Sequence, residues 1–493
     1  MADSKRLLKH VLIYGSGVWA GKAIGFIMIP IYTRALTPSD YGVLELASRT
    51  TDIVAVMLGM GLASALFRFH AEGKSEAECD RVVNTAVTFA GVIGLIAAVF
   101  LAGAAAPISK IVFGSIRYIF YLKLALIAMV LELSTMVPMA LLRIHERSGL
   151  YTAINLTRLG TALCLNIYLV VMRRMGVLGV LTSNVAGISL VLLILIIGTR
   201  HYWKPKIDSR ILKGMLAYSL PLVPSSLAMF ILNFGDRYFL RSCCSLKVLG
   251  IYSLGYKLCL VMPGLVMEPL GLAWSAVVFP VAARSDAERV YGRYFNVYMF
   301  CVVFFSLALA ALSRDLISVM ADPGYIDAWK IVPIVLLGFF AWASVNVFEI
   351  GVFLEKKTYY RTFSCLIGAA VAMGTYAYLI PRYAAMGAAW ATVSSFFAMS
   401  VATYFFARKL HPIRYDLRRM ALLVGMAIAV YGLTALVPGQ GKVSAIALRS
   451  IAVLLFPAIL YAAGYFEPEN IAAAKGAVKS VLRTPAALIR SSR

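Results

Sequence analysis

The chain has 493 residues, of which 61% are hydrophobic and 14% charged, and a formal net charge of +24. Soluble domains run at about 45–50% apolar and about 25% charged, so this apolar excess cannot be hidden in one water-facing globule. Lys and Arg are scattered over short stretches without an aromatic-interleaved patch, which excludes nucleic-acid binding as the reason for the charge.

Runs of roughly 18 or more mostly apolar residues recur along the whole length, each enough to cross about 30 Å of hydrocarbon as a helix. They are continuous and do not alternate with period two, which excludes a membrane barrel. The sequence predicts an all-α integral membrane protein with fourteen transmembrane helices. The spans fall at 10–32, 43–67, 82–106, 118–142, 150–172, 177–199, 212–234, 249–280, 291–313, 331–354, 360–380, 386–407, 420–437 and 444–465. The first follows a basic start but is longer than a typical signal-peptide core and has no A-x-A site, so it is expected to be retained.

With the N-terminus placed in the cytoplasm, cytoplasmic loops and tails carry about 29 Lys and Arg against about 12 outside, as the positive-inside rule requires. The richest loops, 200–213 and 408–419, are then cytoplasmic. An even number of spans returns the tail with Lys475, Lys479, Arg483, Arg490 and Arg493 to the same side, where it suits an anionic leaflet. The placement puts both termini in the cytoplasm. Seven cysteines, including Cys243-Cys244, form no CxxC pair and no Cys/His cluster; they read as apolar filler, with no metal site and no cofactor expected.

An internal repeat organises the chain. Residues 41–49 align with 249–257 at an offset of 208, and the same offset pairs Ile108 with Leu316, Gly179 with Gly387, Arg200 with Arg408 and Asp208 with Asp416. Six spans per copy give both copies one orientation, so the expectation is two parallel-related six-helix lobes, 1–208 and 209–416. Residues 417–493 add two helices and the basic tail.

Charges within spans need cavities or partners, because an isolated charge in hydrocarbon is costly. Arg49 and Lys257 occupy equivalent repeat positions, and facing cations suit a phosphate or pyrophosphate. Glu45, Arg49 and Asp52 share one helical face, so Arg49 is alternatively consumed by these neighbours. Lys22, in the middle of span 1, and Arg158 are further cavity candidates. Glu132, Glu268 and Glu349 are candidates for a coupling ion or partners of Arg158 and Lys257. Lys123, Asp236, Arg237 and Arg449 lie near span ends, where snorkelling or a loop position competes with a site role. Gly15, Gly17, Pro30, Pro138, Pro221, Pro224, Pro263 and Pro269 mark kinks or hinges. There is no GxSxG elbow, P-loop or HExxH, so catalysis is not expected.

The stretch Pro30-x-Tyr32-Thr33-Arg34-x-Leu36-Thr37-Pro38-x-Asp40-Tyr41-Gly42 resembles the first loop of polysaccharide (O-antigen and exopolysaccharide) flippases. These belong to the multidrug/oligosaccharidyl-lipid/polysaccharide exporter superfamily. Asp236-Arg237-Tyr238-Phe239-Leu240, followed by Leu249-Gly250-Ile251-Tyr252, is similar to the same family's pattern at span 7. The resemblance implies a flippase moving a polyprenyl-pyrophosphate-linked oligosaccharide from the cytoplasmic to the periplasmic leaflet by alternating access. It serves cell-surface polysaccharide (lipopolysaccharide) synthesis beside glycosyltransferases and a polysaccharide polymerase. By position it implies that Lys22, Arg49 and Lys257 face the pyrophosphate; Arg237, Asp52 and Arg158 are further substrate-binding candidates and Asp236 a further coupling-ion candidate. Lys at two of the three places departs from the Arg of related lipid-linked precursor flippases. The last two spans form a lipid-tail groove in those relatives.

Two alternatives remain open. A multidrug exporter of the same superfamily has typically twelve spans and an acidic cavity. A membrane polymerase or glycosyltransferase of the pathway carries a long extramembrane loop or an acidic catalytic motif, and neither is seen here.

Overall fold

The computed structural model describes residues 25–59, 61–199, 206–275, 277–437 and 443–466. Lys22, most of the expected first span, loop residues 200–205 and the basic tail lie outside them. Within the described residues the chain is helical with no strand, as continuous apolar runs in lipid require.

Residues 25–35 are helical. After a turn at Leu36 and Thr37 come α1 (Pro38–Gly59) and α2 (Leu62–Glu72). Next are α3 (Glu76–Phe113), α4 (Ile119–Ile144) and α5 (Ser148–Asn166), which runs on through a π-helical turn, Ile167–Met172, before α6 (Gly176–Thr199). Then follow α7 (Ser209–Ser219), α8 (Val223–Phe234), α9 (Asp236–Cys243) and α10 (Leu246–Cys259). A second π turn, Pro263–Met267, leads into α11 (Glu268–Ser275) and α12 (Val278–Ala282). The chain closes with α13 (Ala287–Met320), α14 (Val332–Leu354), α15 (Tyr359–Leu410), α16 (Leu417–Ala435) and α17 (Val443–Ala462).

Twelve helical stretches among the described residues are long and apolar enough to cross a membrane. The longest, α15, contains a non-helical bend at Ala384 (φ 48°). Its arms, 359–383 and 385–410, are two helices that meet at this kink, each longer than the ~20 residues a span needs, at the places where spans 360–380 and 386–407 are expected. Large apolar side chains cover the outside, with Val99 and Phe100 about 70% exposed, which suits lipid and not water. Pro221 and Pro224 begin the 3-10 turn at Leu220–Leu222 and α8, where a missing N–H costs nothing. They start helices instead of hinging them.

The Thr37-Pro38-Ser39-Asp40-Tyr41-Gly42 stretch is a helix start. The Thr37 hydroxyl accepts from the Asp40 backbone N–H (3.2 Å), and the Asp40 carboxylate accepts from the Thr37 backbone N–H (3.2 Å) and hydroxyl (2.7 Å). That reciprocal capping box satisfies donors left open at a helix N-terminus, and Pro38 occupies the first helical position. At the equivalent place in the second half, the Ser245 hydroxyl accepts from the Val248 backbone N–H (3.4 Å) and starts α10.

The two helix starts then meet. A Cβ on Gly42 would lie 2.3 Å from the Leu246 carbonyl oxygen, and one on Gly250 would lie 1.8 Å from that of Pro38. Both residues of each contact are 208 apart from their counterparts, so the contact is reciprocal. Only glycine allows backbones this close. Other positions with the same offset also do the same local job. Asp208 caps α7 and Asp416 caps α16, and Gly176 and Ala384 both take left-handed conformations at turns. Gly179 and Gly387 each pack against the backbone of the preceding helix. The main core lies beneath this seam and includes the buried side chains of Leu46, Tyr252, Phe295, Phe339 and Phe396.

Candidate functional site

An open cavity of about 860 Å³ is lined by α1, α4, α5, α6 and α8. Its polar lining is Asp52, Glu132, Arg143, Arg158, Asn184 and Asn233, set among apolar residues such as Met129 and Phe230. Arg158 on α5 donates to Glu132 on α4 at 2.9 Å, and both side chains are substantially exposed to the cavity (39% and 56%). An exposed pair of this kind has little net strength, so either partner is available to a ligand. Arg143, in the last turn of α4, lies over the Phe67 ring at 4.9 Å.

Arg49 lies beside this cavity and not on its lining. Its guanidinium donates to Glu45 (3.0 Å) and to Asp52 (2.6 Å) and stacks over Phe234 at 4.1 Å. The spacing of Glu45, Arg49 and Asp52 on one helical face produces these bonds directly. Of the two roles open to Arg49, pairing within its own helix is the one seen. Asp52, which is 47% exposed, carries that pair to the cavity wall.

Lys257 is half-buried on α10, its ammonium 5.8 Å from the centre of the Tyr32 ring and 5.9 Å from that of Tyr41. Such ring faces attract a cation in place of a carboxylate. No carboxylate among the described residues forms an ion pair with it within 4.0 Å.

Asp236 and Arg237, expected near a span end, are 0% and 1% exposed. Snorkelling is ruled out for them: Arg237 donates to Asp236 (2.6 Å) and to the Asn233 carbonyl (2.8 Å). It also lies 3.5 Å from Glu45 and stacks on Tyr256 at 4.0 Å. The Tyr252 hydroxyl donates to the other Asp236 oxygen. The cluster ties α1, α9 and α10 together, apart from the cavity lining.

The remaining candidates separate. Glu349 is 3% exposed on α14 and lies 3.3 Å from Arg361 on α15. Glu268 is exposed at the start of α11, and neither it nor Glu349 lines the cavity. Arg449 is buried, not snorkelled: it donates to Asp315 (2.6 Å), Val437 O (2.8 Å) and Thr434 O (3.4 Å). Sequence reasoning missed Asp315 and Arg143, which fall just beyond the expected spans 291–313 and 118–142. The signal available for Arg143 was its helical register with Met136 and Met139 on the cavity face.

The arrangement holds charges of both signs on a polar cavity wall among apolar residues. It can bind an amphiphile with a charged group by exchanging its internal ion pairs for contacts with that group. No group of three or more His, Cys, Asp or Glu suited to a metal occurs among the described residues.

A family model described as polysaccharide biosynthesis protein matches residues 7–285. The fold is similar to that of the lipid II flippase MurJ in an inward closed conformation, at 12% identity and TM-score 0.74, covering 91% of this chain and 99% of that one. It is similar to an inward-facing multidrug resistance MATE family transporter of the MOP superfamily, at 14% identity and TM-score 0.63, covering 82% and 96%. It is also similar to the Vibrio cholerae MATE transporter VcmN, at 12% identity and TM-score 0.57, covering 82% and 96%. No curated protein matches the chain by sequence.

Proposed function

The chain belongs to the polysaccharide biosynthesis protein family, and on that premise we propose that it is a flippase for a polyprenyl-pyrophosphate-linked oligosaccharide. It carries this substrate from the cytoplasmic to the periplasmic leaflet of a bacterial inner membrane by alternating access. The observation that carries the reading is a cavity of about 860 Å³ with Arg143 and Arg158 on its wall and Arg49 immediately behind Asp52. A pyrophosphate entering there competes with Glu132 for Arg158 and with Asp52 for Arg49. Bidentate Arg–phosphate bonds offset the ion pairs that are given up. Lys257 adds a point charge from the second half, and Lys22 a further one. Asp236 and Arg237 hold the helices that position these groups.

In this reading the chain has fourteen spans, in lobes 1–208 and 209–416 with residues 417–493 appended and both termini cytoplasmic. Glycosyltransferases and a polysaccharide polymerase are its partners in the pathway. Glu132, released from Arg158 when substrate binds, is the leading coupling-ion candidate, and Glu349, Glu268 and Asp236 are less accessible or lie off the cavity.

Complementation of a flippase-null strain tests the reading. Arg158→Gln and Lys257→Ala are expected to insert normally and to lose at least tenfold in surface polysaccharide. Full complementation by both would overturn the anion site. A multidrug exporter is the second reading, favoured by the presence of Asp52 and Glu132 on the cavity wall. It requires cationic-drug efflux that Glu132→Gln abolishes, while Arg158→Gln leaves it intact.

A further inference from the structure

A second pocket, of about 620 Å³, lies between the end of the first span and the π-helical end of α5. It shares no lining residue with the central cavity. Its floor is apolar, with Pro30, Ile31, Val170 and Val171, and its polar groups are two guanidiniums, Arg34 and Arg174. No carboxylate among the described residues lines it. Arg34 makes one bond to a neutral acceptor, the Val319 carbonyl at 3.3 Å, leaving most of its five donors for another partner. Two like charges brought to one pocket repel each other, and an anion between them reverses the sign of that interaction.

The position matters as much as the charge. Arg34 is two residues before the Leu36–Thr37 turn, and Arg174 is in the turn between α5 and α6, so both sit where spans leave the hydrocarbon. A pocket with an apolar floor and a cationic mouth at that level fits a ligand with an apolar tail and a phosphate head. We propose that Arg34 and Arg174 form a second anion site that takes the phosphate headgroup of a lipid, separate from the central cavity. The site rests on the chain spanning a membrane and does not require the flippase reading. It also gives Arg34, within the stretch from Pro30 to Gly42, a role that helix capping does not supply. On the proposed topology it faces the periplasmic leaflet.

Arg174 offers a clean variant. Its φ is 51°, a left-handed conformation at a helix end where glycine is the usual occupant. Arg174→Gly therefore removes the charge and relieves the backbone, so lost binding cannot be attributed to unfolding. The experiment is native mass spectrometry of the full chain in detergent, titrated separately with phosphatidylglycerol, farnesyl pyrophosphate and inorganic pyrophosphate. Wild type is expected to bind at least one lipid probe, and Arg34→Gln/Arg174→Gly to bind it at least tenfold more weakly. Arg34→Lys/Arg174→Lys is expected to fall between them. Loss for phosphatidylglycerol identifies a membrane lipid as the source; loss for farnesyl pyrophosphate identifies a prenyl carrier. Loss confined to inorganic pyrophosphate, unchanged binding of all three probes, or no binding by wild type would each overturn the proposal. Complementation is a separate readout, so failure of the transport reading leaves this result standing.

Discussion

Several contacts converge on Arg237. It is 1% exposed, with Asp236, Glu45 and three aromatic rings around it. Removing one member of a buried ion pair leaves the other charge without compensation, at a cost of about 3–5 kcal/mol. Arg237→Ala is therefore expected to yield little monodisperse protein by fluorescence-detected size exclusion, with a sharply lowered melting temperature for what remains. Arg237→Lys keeps the charge but loses the stacked, forked contacts and should fall between the two. A wild-type profile for Arg237→Ala would show that the cluster is not a structural tie. Arg49 differs at this scale, because its partner Asp52 opens onto the cavity, so its bonds are exchangeable in a way those of Arg237 are not.

The start of α1 and the start of α10 form a matched pair of elements. Each is capped by a hydroxyl residue, Thr37 or Ser245, and each presents a glycine to the other's first turn. A methyl group on Gly250 would lie 1.8 Å from the Pro38 carbonyl oxygen, which is fixed backbone and cannot step aside as a side chain would. Gly250→Ala is thus expected to force the two helices apart, at about 1–3 kcal/mol or more. A thermal melt of the purified variant measures this, and an unchanged midpoint would mean that the seam between the helices yields freely. The stretch from Pro30 to Gly42 was legible as the connection between the first two expected spans. Its capping box was equally readable from Thr-Pro-Ser-Asp, but the reason for Gly42 required the second helix to be in place.

At the scale of the whole molecule, the last two described helices are held by a buried bond network. Arg449 on α17 reaches Asp315 on α13 and the carbonyls that end α16, and the Tyr465 hydroxyl donates to the Asn296 carbonyl on α13 (2.9 Å). Arg449→Ala leaves Asp315 buried without this partner and frees the end of α16. Limited proteolysis between α16 and α17 is expected to become faster, with the cavity-forming helices spared. Equal cleavage rates in variant and wild type would show that apolar packing alone holds the pair. The repeat at offset 208 was visible in the sequence through weak matches, and the same positions carry matching caps and turns at Asp208 and Asp416 and at Gly176 and Ala384.

The sequence by itself determined the class of the molecule: its apolar excess and run lengths demand helices in lipid, and hydrogen bonds within each helix make that independent of neighbours. It also placed Glu45, Arg49 and Asp52 on one helical face, because residues three and four apart on a helix meet, but the choice between their pairing and a cavity role for Arg49 waited for the fold. Only the tertiary structure decided which charges are buried ties and which reach open space. Asp236, Arg237 and Arg449, expected near span ends, are buried in ion pairs, Arg449 with Asp315, while Arg143 and Arg158 line a cavity. The physical reason is that a charge in a membrane is tolerated when a partner or water reaches it, and partners from distant helices arrive only when the bundle closes.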